Sequence, residues 1–90
     1  MNIHILFQAE GEEALSYLED LELKGGPQKV YKEMLLDFRV SHNDLMKYFS
    51  ETVSIEDIKE DCLNWKILDQ NGYILIWNEM LGKIVFGQHN

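Results

Sequence analysis

Asn71-Gly72 stands between two apolar runs, Lys66 to Leu68 and Tyr73 to Trp77. Both residues tolerate positive φ, the backbone sign that the tightest antiparallel connection demands, so this stretch reads as a β-hairpin. A further run, Lys83 to Phe86, follows a turn over Asn78 to Gly82, and together the three runs predict a C-terminal antiparallel meander of about three strands. Near the start, Ile3, Ile5 and Phe7 alternate with His4 and Leu6 ahead of the polar Gln8 to Gly11, which predicts an opening strand. Whether that strand joins the meander is left open by the sequence.

Between these ends the apolar period lengthens to three and four. Ala14, Leu15, Leu18 and Leu21 predict an amphipathic helix from Glu12, with acidic residues at its positive end and Lys24 at its negative end, stopped by Gly25-Gly26-Pro27. A second helix carries Val30, Tyr31, Met34, Leu35 and Phe38 inward and pairs Lys29 with Glu33 outside. Ser41 suits the N-cap of a short third helix through Phe49, with Leu45, Met46 and Phe49 inward. Ser54, with Asp57 three residues on, resembles a capping box, and a fourth helix is expected over Ile55 to Leu63, burying Ile55, Ile58 and Cys62, with Trp65 continuing that side. Strand, four helices and three strands make a single acidic α+β domain over residues 1–90, with helices packed on one face of an antiparallel sheet.

A chain of 90 residues has room for one modest core, and with 46% hydrophobic residues and one proline it is expected to fold. Cys62 is the single cysteine, so no intramolecular disulfide can form. That fits a reducing compartment, and Met1 to Phe7 lacks the cationic start and cleavage site of a secretory leader. No apolar run approaches the roughly 18 residues of a membrane span. A cytoplasmic protein is expected.

The residue types that carry chemistry are scattered. His4, His42 and His89 do not recur at metal-ligand spacing; Asp44 near His42 reads as a polar first turn, and His89, next to the last residue, is expected to be mobile. Cys62 has Glu60 and Asp61 beside it, and negative neighbours raise a thiol pKa, so a buried structural thiol is expected. Gly25-Gly26 runs into proline and forms no phosphate-binding pattern. Neither catalysis nor a cofactor or metal is expected.

From Val30 to Trp77 the order is helix, cap at Ser41, short helix, cap at Ser54, helix, hairpin at Asn71-Gly72. This layout, over about half the chain, resembles a winged helix-turn-helix. The resemblance implies that Ile55 to Leu63 is the recognition helix, which in a DNA reader offers cations and amides to bases and phosphates. Here it offers Lys59 against Glu56, Asp57, Glu60 and Asp61, which argues against direct DNA binding and leaves a protein-interaction domain.

The charge is net −8, and it is unevenly placed. Residues 1–23 hold six acids and no Lys or Arg, residues 24–50 are +2, residues 51–61 are −4, and the remainder is neutral. Glu56 and Glu60, and Asp57 and Asp61, stand four apart, so like charges would face each other on a helix at a cost of a few tenths of a kcal/mol, about 0.2–0.5 per pair. Such a row disfavours anionic partners and suits a basic groove. The expected function is an acidic inhibitor or regulator that occupies a basic, nucleic-acid-binding surface of a partner protein. By analogy of size and charge, it is a nucleic-acid mimic of the phage anti-defence or immunity and antitoxin type. The expected contact residues are Glu12, Glu13, Glu19 and Asp20 with Glu56, Asp57, Glu60 and Asp61. The alternatives are a solvated surface, or a winged-helix-like adaptor or transcription-regulatory interaction domain that uses an apolar or aromatic surface, with Tyr17, Tyr31, Tyr48, Tyr73, Trp65 and Trp77 as candidates for an aromatic patch or homodimer interface.

Overall fold

The Tyr73–Asn78 strand organises the fold, because its first five residues are all apolar and successive side chains of a strand point to opposite faces. Such a strand has to be covered on both sides. The computed structural model describes residues 2–23, 25–39, 44, 52–60 and 62–89. Among them run β1 (Asn2–Glu10), α1 (Glu12–Leu23), α2 (Gly26–Phe38), β2 (Val53–Ser54), α3 (Ile55–Lys59), β3 (Lys66–Gln70), β4 (Tyr73–Asn78) and β5 (Lys83–His89). The strands form one antiparallel sheet in the order β2-β1-β5-β4-β3.

The hairpin forms where the turn residues place it. Gln70 pairs with Tyr73, and Asn71 and Gly72 both take positive φ, at 54° and 83°. The meander of β3, β4 and β5 is therefore present, and the opening strand joins it along β5, with β2 added beyond, to make five strands. A bulge interrupts β1, where Ile5 pairs with Gly87 and Phe7 with Phe86, so Leu6 is the extra residue. Beyond the bulge the faces exchange. Ile3 and Ile5 belong to one apolar cluster, while Phe7 and Ala9 belong to the other.

One face of the sheet is covered by α1 and α2. Ala14, Leu18 and Leu21 from α1 and Val30, Tyr31 and Met34 from α2 meet Leu75, Trp77, Ile84 and Phe86. Leu15, expected inside, is more than half exposed. Gly25, with φ 91°, turns the chain between the helices, and Pro27 follows in the first turn of α2. The aromatic residues proposed for a binding patch mostly fill this core: Tyr73 stacks on Phe86 at 5.7 Å, Phe7 on Phe38 at 4.7 Å, and Tyr17 meets Phe7 edge-on at 5.5 Å. Tyr48 lies outside the described residues.

The opposite face is covered too, which corrects the expectation of helices on one side only. Ile55 and Ile58 of α3, with Trp65, pack on Ile3, Ile74, Ile76 and Val85. The reason is the doubly apolar β4, which no single helical layer can cover. The fourth helix expected over Ile55 to Leu63 is also shorter, ending at Lys59 with Glu60 in the left-handed conformation at φ 51°. Continuing it would have aligned Glu56 with Glu60 and Asp57 with Asp61. Instead the Lys59 carbonyl accepts from Cys62 N at 2.9 Å and from Trp65 Nε1 at 3.1 Å. Cys62 is half-buried in the segment after α3, not inside a helix. The third helix expected over Ser41 to Phe49 lies outside the described residues except for Asp44, which is exposed.

The winged-helix layout finds no counterpart in two respects. A five-residue helix spans about 7.5 Å, too short to lie along a major groove. The β3–β4 hairpin is part of the main sheet, with β4 in its interior, and not a projecting wing. His89 is held as well, its backbone N–H donating to Gly72 O at 2.8 Å and its Nε2 standing 2.7 Å from Asp69 Oδ1.

Candidate functional site

The two acidic blocks, some forty residues apart in the chain, meet at one cleft on the α3 face. It encloses about 390 Å³. Its floor comes from Ile5 and Gln8 on β1 and Val85 on β5, its walls from Val53, Ile58 and Trp65, and its acidic rim from Glu10, Glu13, Asp57 and Glu60.

Local structure explains each placement. The β1 bulge returns Gln8 and Glu10 to the face that carries Ile5, so Glu10 opens into the cleft. Gly11, with φ 67°, turns the chain into α1 and donates its N–H to Gly82 O at 3.0 Å, which sets Glu13 of the first helical turn over the same opening. On the other wall, β2 pairs Asn2 with Ser54 and Ile3 with Val53, fixing the start of α3 beside β1. Ser54 caps that helix, accepting from Glu56 N at 3.2 Å and donating to the Glu56 carboxylate at 2.6 Å. That hydroxyl holds the Glu56 carboxyl below its ordinary range. Glu56 thus takes the capping part expected of Asp57, and Asp57 is left to line the cleft.

Lys83 stands among the acids, its Nζ 4.0 Å from both Glu10 and Glu60. Four carboxylates against one ammonium leave the lining at −3. Glu60 is held at this rim in a backbone conformation that costs an L-residue roughly 1–2 kcal/mol. A floor apolar but for Gln8, beneath carboxylates that outnumber their one lysine, suits a cation carried on an apolar stem.

Of the eight acids expected to make the contact, Glu13, Asp57 and Glu60 come together here. Glu12 and Glu19 are exposed on α1 and line no part of the cleft, Asp20 stands 3.9 Å from Lys29, and Glu56 is engaged by Ser54. Asp61 lies outside the described residues. The same Lys29 is 3.7 Å from Glu33, the pair expected on α2. Sequence reasoning missed Glu10, Lys83 and the floor. Glu10 was hidden because strict alternation from Ile5 assigns it to the other face, and nothing short of the bulge reverses that.

A second charged group lies nearby. Lys66 Nζ is 2.8 Å from Glu79 and 3.9 Å from Glu22. The hydrogen bond between the two carboxyls holds Glu22 above and Glu79 below the ordinary range. Among the described residues no group of three or more His, Cys, Asp or Glu is placed to hold a metal ion, and no helix is long and apolar enough to cross a membrane. In comparison with known proteins, no family model, curated protein or solved structure matches the chain.

Proposed function

We propose that this chain is a protein-binding inhibitor or regulator that occupies a basic, nucleic-acid-binding surface of a partner protein. The observation that supports this reading is the convergence of Glu10 and Glu13 with Asp57 and Glu60 on one cleft, against a single lysine. Solubility alone asks for dispersed charge, and like charges brought together raise the folding cost unless something answers them. A cationic partner does so, and the same field rejects nucleic acid, so partner and nucleic acid compete for one surface.

The test is affinity capture from the source cell at low and high salt, with wild type and a Glu10→Lys, Glu13→Lys, Asp57→Lys, Glu60→Lys variant. All four residues are at the surface or cleft rim, so circular dichroism should show a folded variant. The expected outcome is a basic partner retained by wild type at low salt, lost at high salt, lost with the variant, and displaced from its nucleic acid by wild type. A partner held equally by the reversed variant, or one indifferent to salt and to nucleic acid, refutes the reading.

A further inference from the structure

Trp65 lines two clefts, not one. Besides the acidic cleft, Trp65 lines a second hollow of about 460 Å³, together with Asn64, Lys66, Glu79 and Met80. Met80 of this lining and the chain neighbours Leu63 and Leu81 add exposed apolar side chains beside the Lys66–Glu79 ion pair. Leu63 is 81% exposed and Met80 79%, and Leu81 is exposed beside them. Their main chain is anchored: Asn78, itself buried, donates to Leu63 O at 3.0 Å and accepts from Leu81 N at 3.0 Å, while Asn64 Nδ2 approaches the Met80 side chain at Sδ, 3.1 Å away.

A surface that only mimicked phosphate would need carboxylates and nothing more. This one continues from an acidic rim, by way of Trp65, to large exposed aliphatic side chains on a main chain that a buried amide fixes. Lone exposed apolar residues are ordinary, but a group of them continuous with a charged cleft marks a contact surface. Methionine adapts its shape to whatever apolar group it meets.

Resting on the function proposed above, we infer that the occupant of this surface is a lysine- or arginine-rich protein segment carrying at least one large aliphatic or aromatic side chain. Charge complementarity selects its cations: they sit among Glu10, Glu13, Asp57 and Glu60. Its apolar side chain lies against Trp65 and Met80. Desolvation of the ring and the aliphatic group holds the segment, and the carboxylates set its direction and speed its arrival.

Two synthetic peptides of equal length and equal lysine content test this, one with leucines along one face and the other with glutamine in their place. Binding is followed by calorimetry on wild type and by Trp65 fluorescence in a Trp77→Phe protein, which leaves Trp65 as the single tryptophan. The expected result is that the leucine peptide binds at least about tenfold tighter, the factor for burying one such side chain, and shifts Trp65 emission to shorter wavelength. Met80→Ser, a change at an exposed turn, should remove most of that advantage while sparing the glutamine peptide. Glu13→Lys with Asp57→Lys should weaken both peptides. Equal binding of the two peptides overturns the inference while leaving the electrostatic reading intact. A leucine advantage that survives Met80→Ser without any Trp65 shift overturns it as well. If neither peptide binds, the inference fails, and the proposed function is decided separately by partner capture and nucleic-acid displacement.

Discussion

Gly87 is the position where one added carbon should be felt most. It lies in β5, paired with Ile5 of β1 and with Ile74 of β4, at the bulge. A Cβ there would stand 2.7 Å from the main-chain oxygen of His4 and 2.8 Å from Ile3 Cδ1. Ordinary contacts between such atoms fall near 3.5–4.0 Å, so the shortfall is about 0.7 Å or more. The oxygen belongs to a paired strand, and Ile3 is fully buried, so neither obstacle can swing away. Overpacking of this kind costs about 1–3 kcal/mol, against roughly 0.4–1 kcal/mol gained because alanine restricts the unfolded chain. The steric term wins, leaving Gly87→Ala about 1–2 kcal/mol less stable, a fall of roughly 5–15 °C in Tm for a domain of this size. Urea and thermal denaturation by circular dichroism measure it. Ile3→Val removes one of the two obstructing atoms, so the double variant should recover about 0.5–1 kcal/mol relative to the sum of the single changes. A Gly87→Ala protein as stable as wild type, or strict additivity with Ile3→Val, would refute the packing argument.

Asn78→Ala should cost about 2–3 kcal/mol in urea unfolding, because it strands the Leu63 carbonyl and the Leu81 N–H that the buried amide satisfies; a loss below about 0.5 kcal/mol would show that water replaces it. Tyr31→Phe should cost about 1 kcal/mol at neutral pH, since the phenol donates to Gln70 O at 2.7 Å. Burial pushes the Tyr31 phenol above its ordinary pKa, so its contribution is complete below about pH 10 and is lost as pH rises through the folded value. The gap between wild type and Tyr31→Phe in unfolding free energy should therefore narrow in alkaline solution, and a constant gap would contradict this. Glu60→Gly should raise stability by about 0.5–1 kcal/mol by removing left-handed strain, yet weaken binding of a lysine-rich peptide; a variant both less stable and equally tight in binding would show that the strain serves nothing at the cleft.

Part of the fold and a smaller part of the candidate site were legible in the chain itself. The Asn71-Gly72 hairpin, the limits of α1 and α2, the cap at Ser54 and the Lys29–Glu33 pair all depend on residues within a few positions of one another, and each stands where local geometry puts it. The acidic blocks were visible too, as composition. Three of the eight acids assigned to contact reached the cleft, because facing is not a local property once the chain bulges or a helix stops early.

Sequence by itself determined the periods, the turns and the excess of carboxylates, since these follow from backbone sterics and side-chain chemistry between neighbours. Tertiary structure decided the rest. Pairing of β1 with β5 and β2 created the bulge that reversed the faces of Glu10 and Phe7, and it seated α3 on the far side of the sheet. Burial of β4 on both faces drew Ile58 and Trp65 against the sheet, where they form walls of the cleft. Strand pairing between residues fifty or more positions apart made these choices, and only the folded chain brings Glu10 and Glu13 to Asp57 and Glu60.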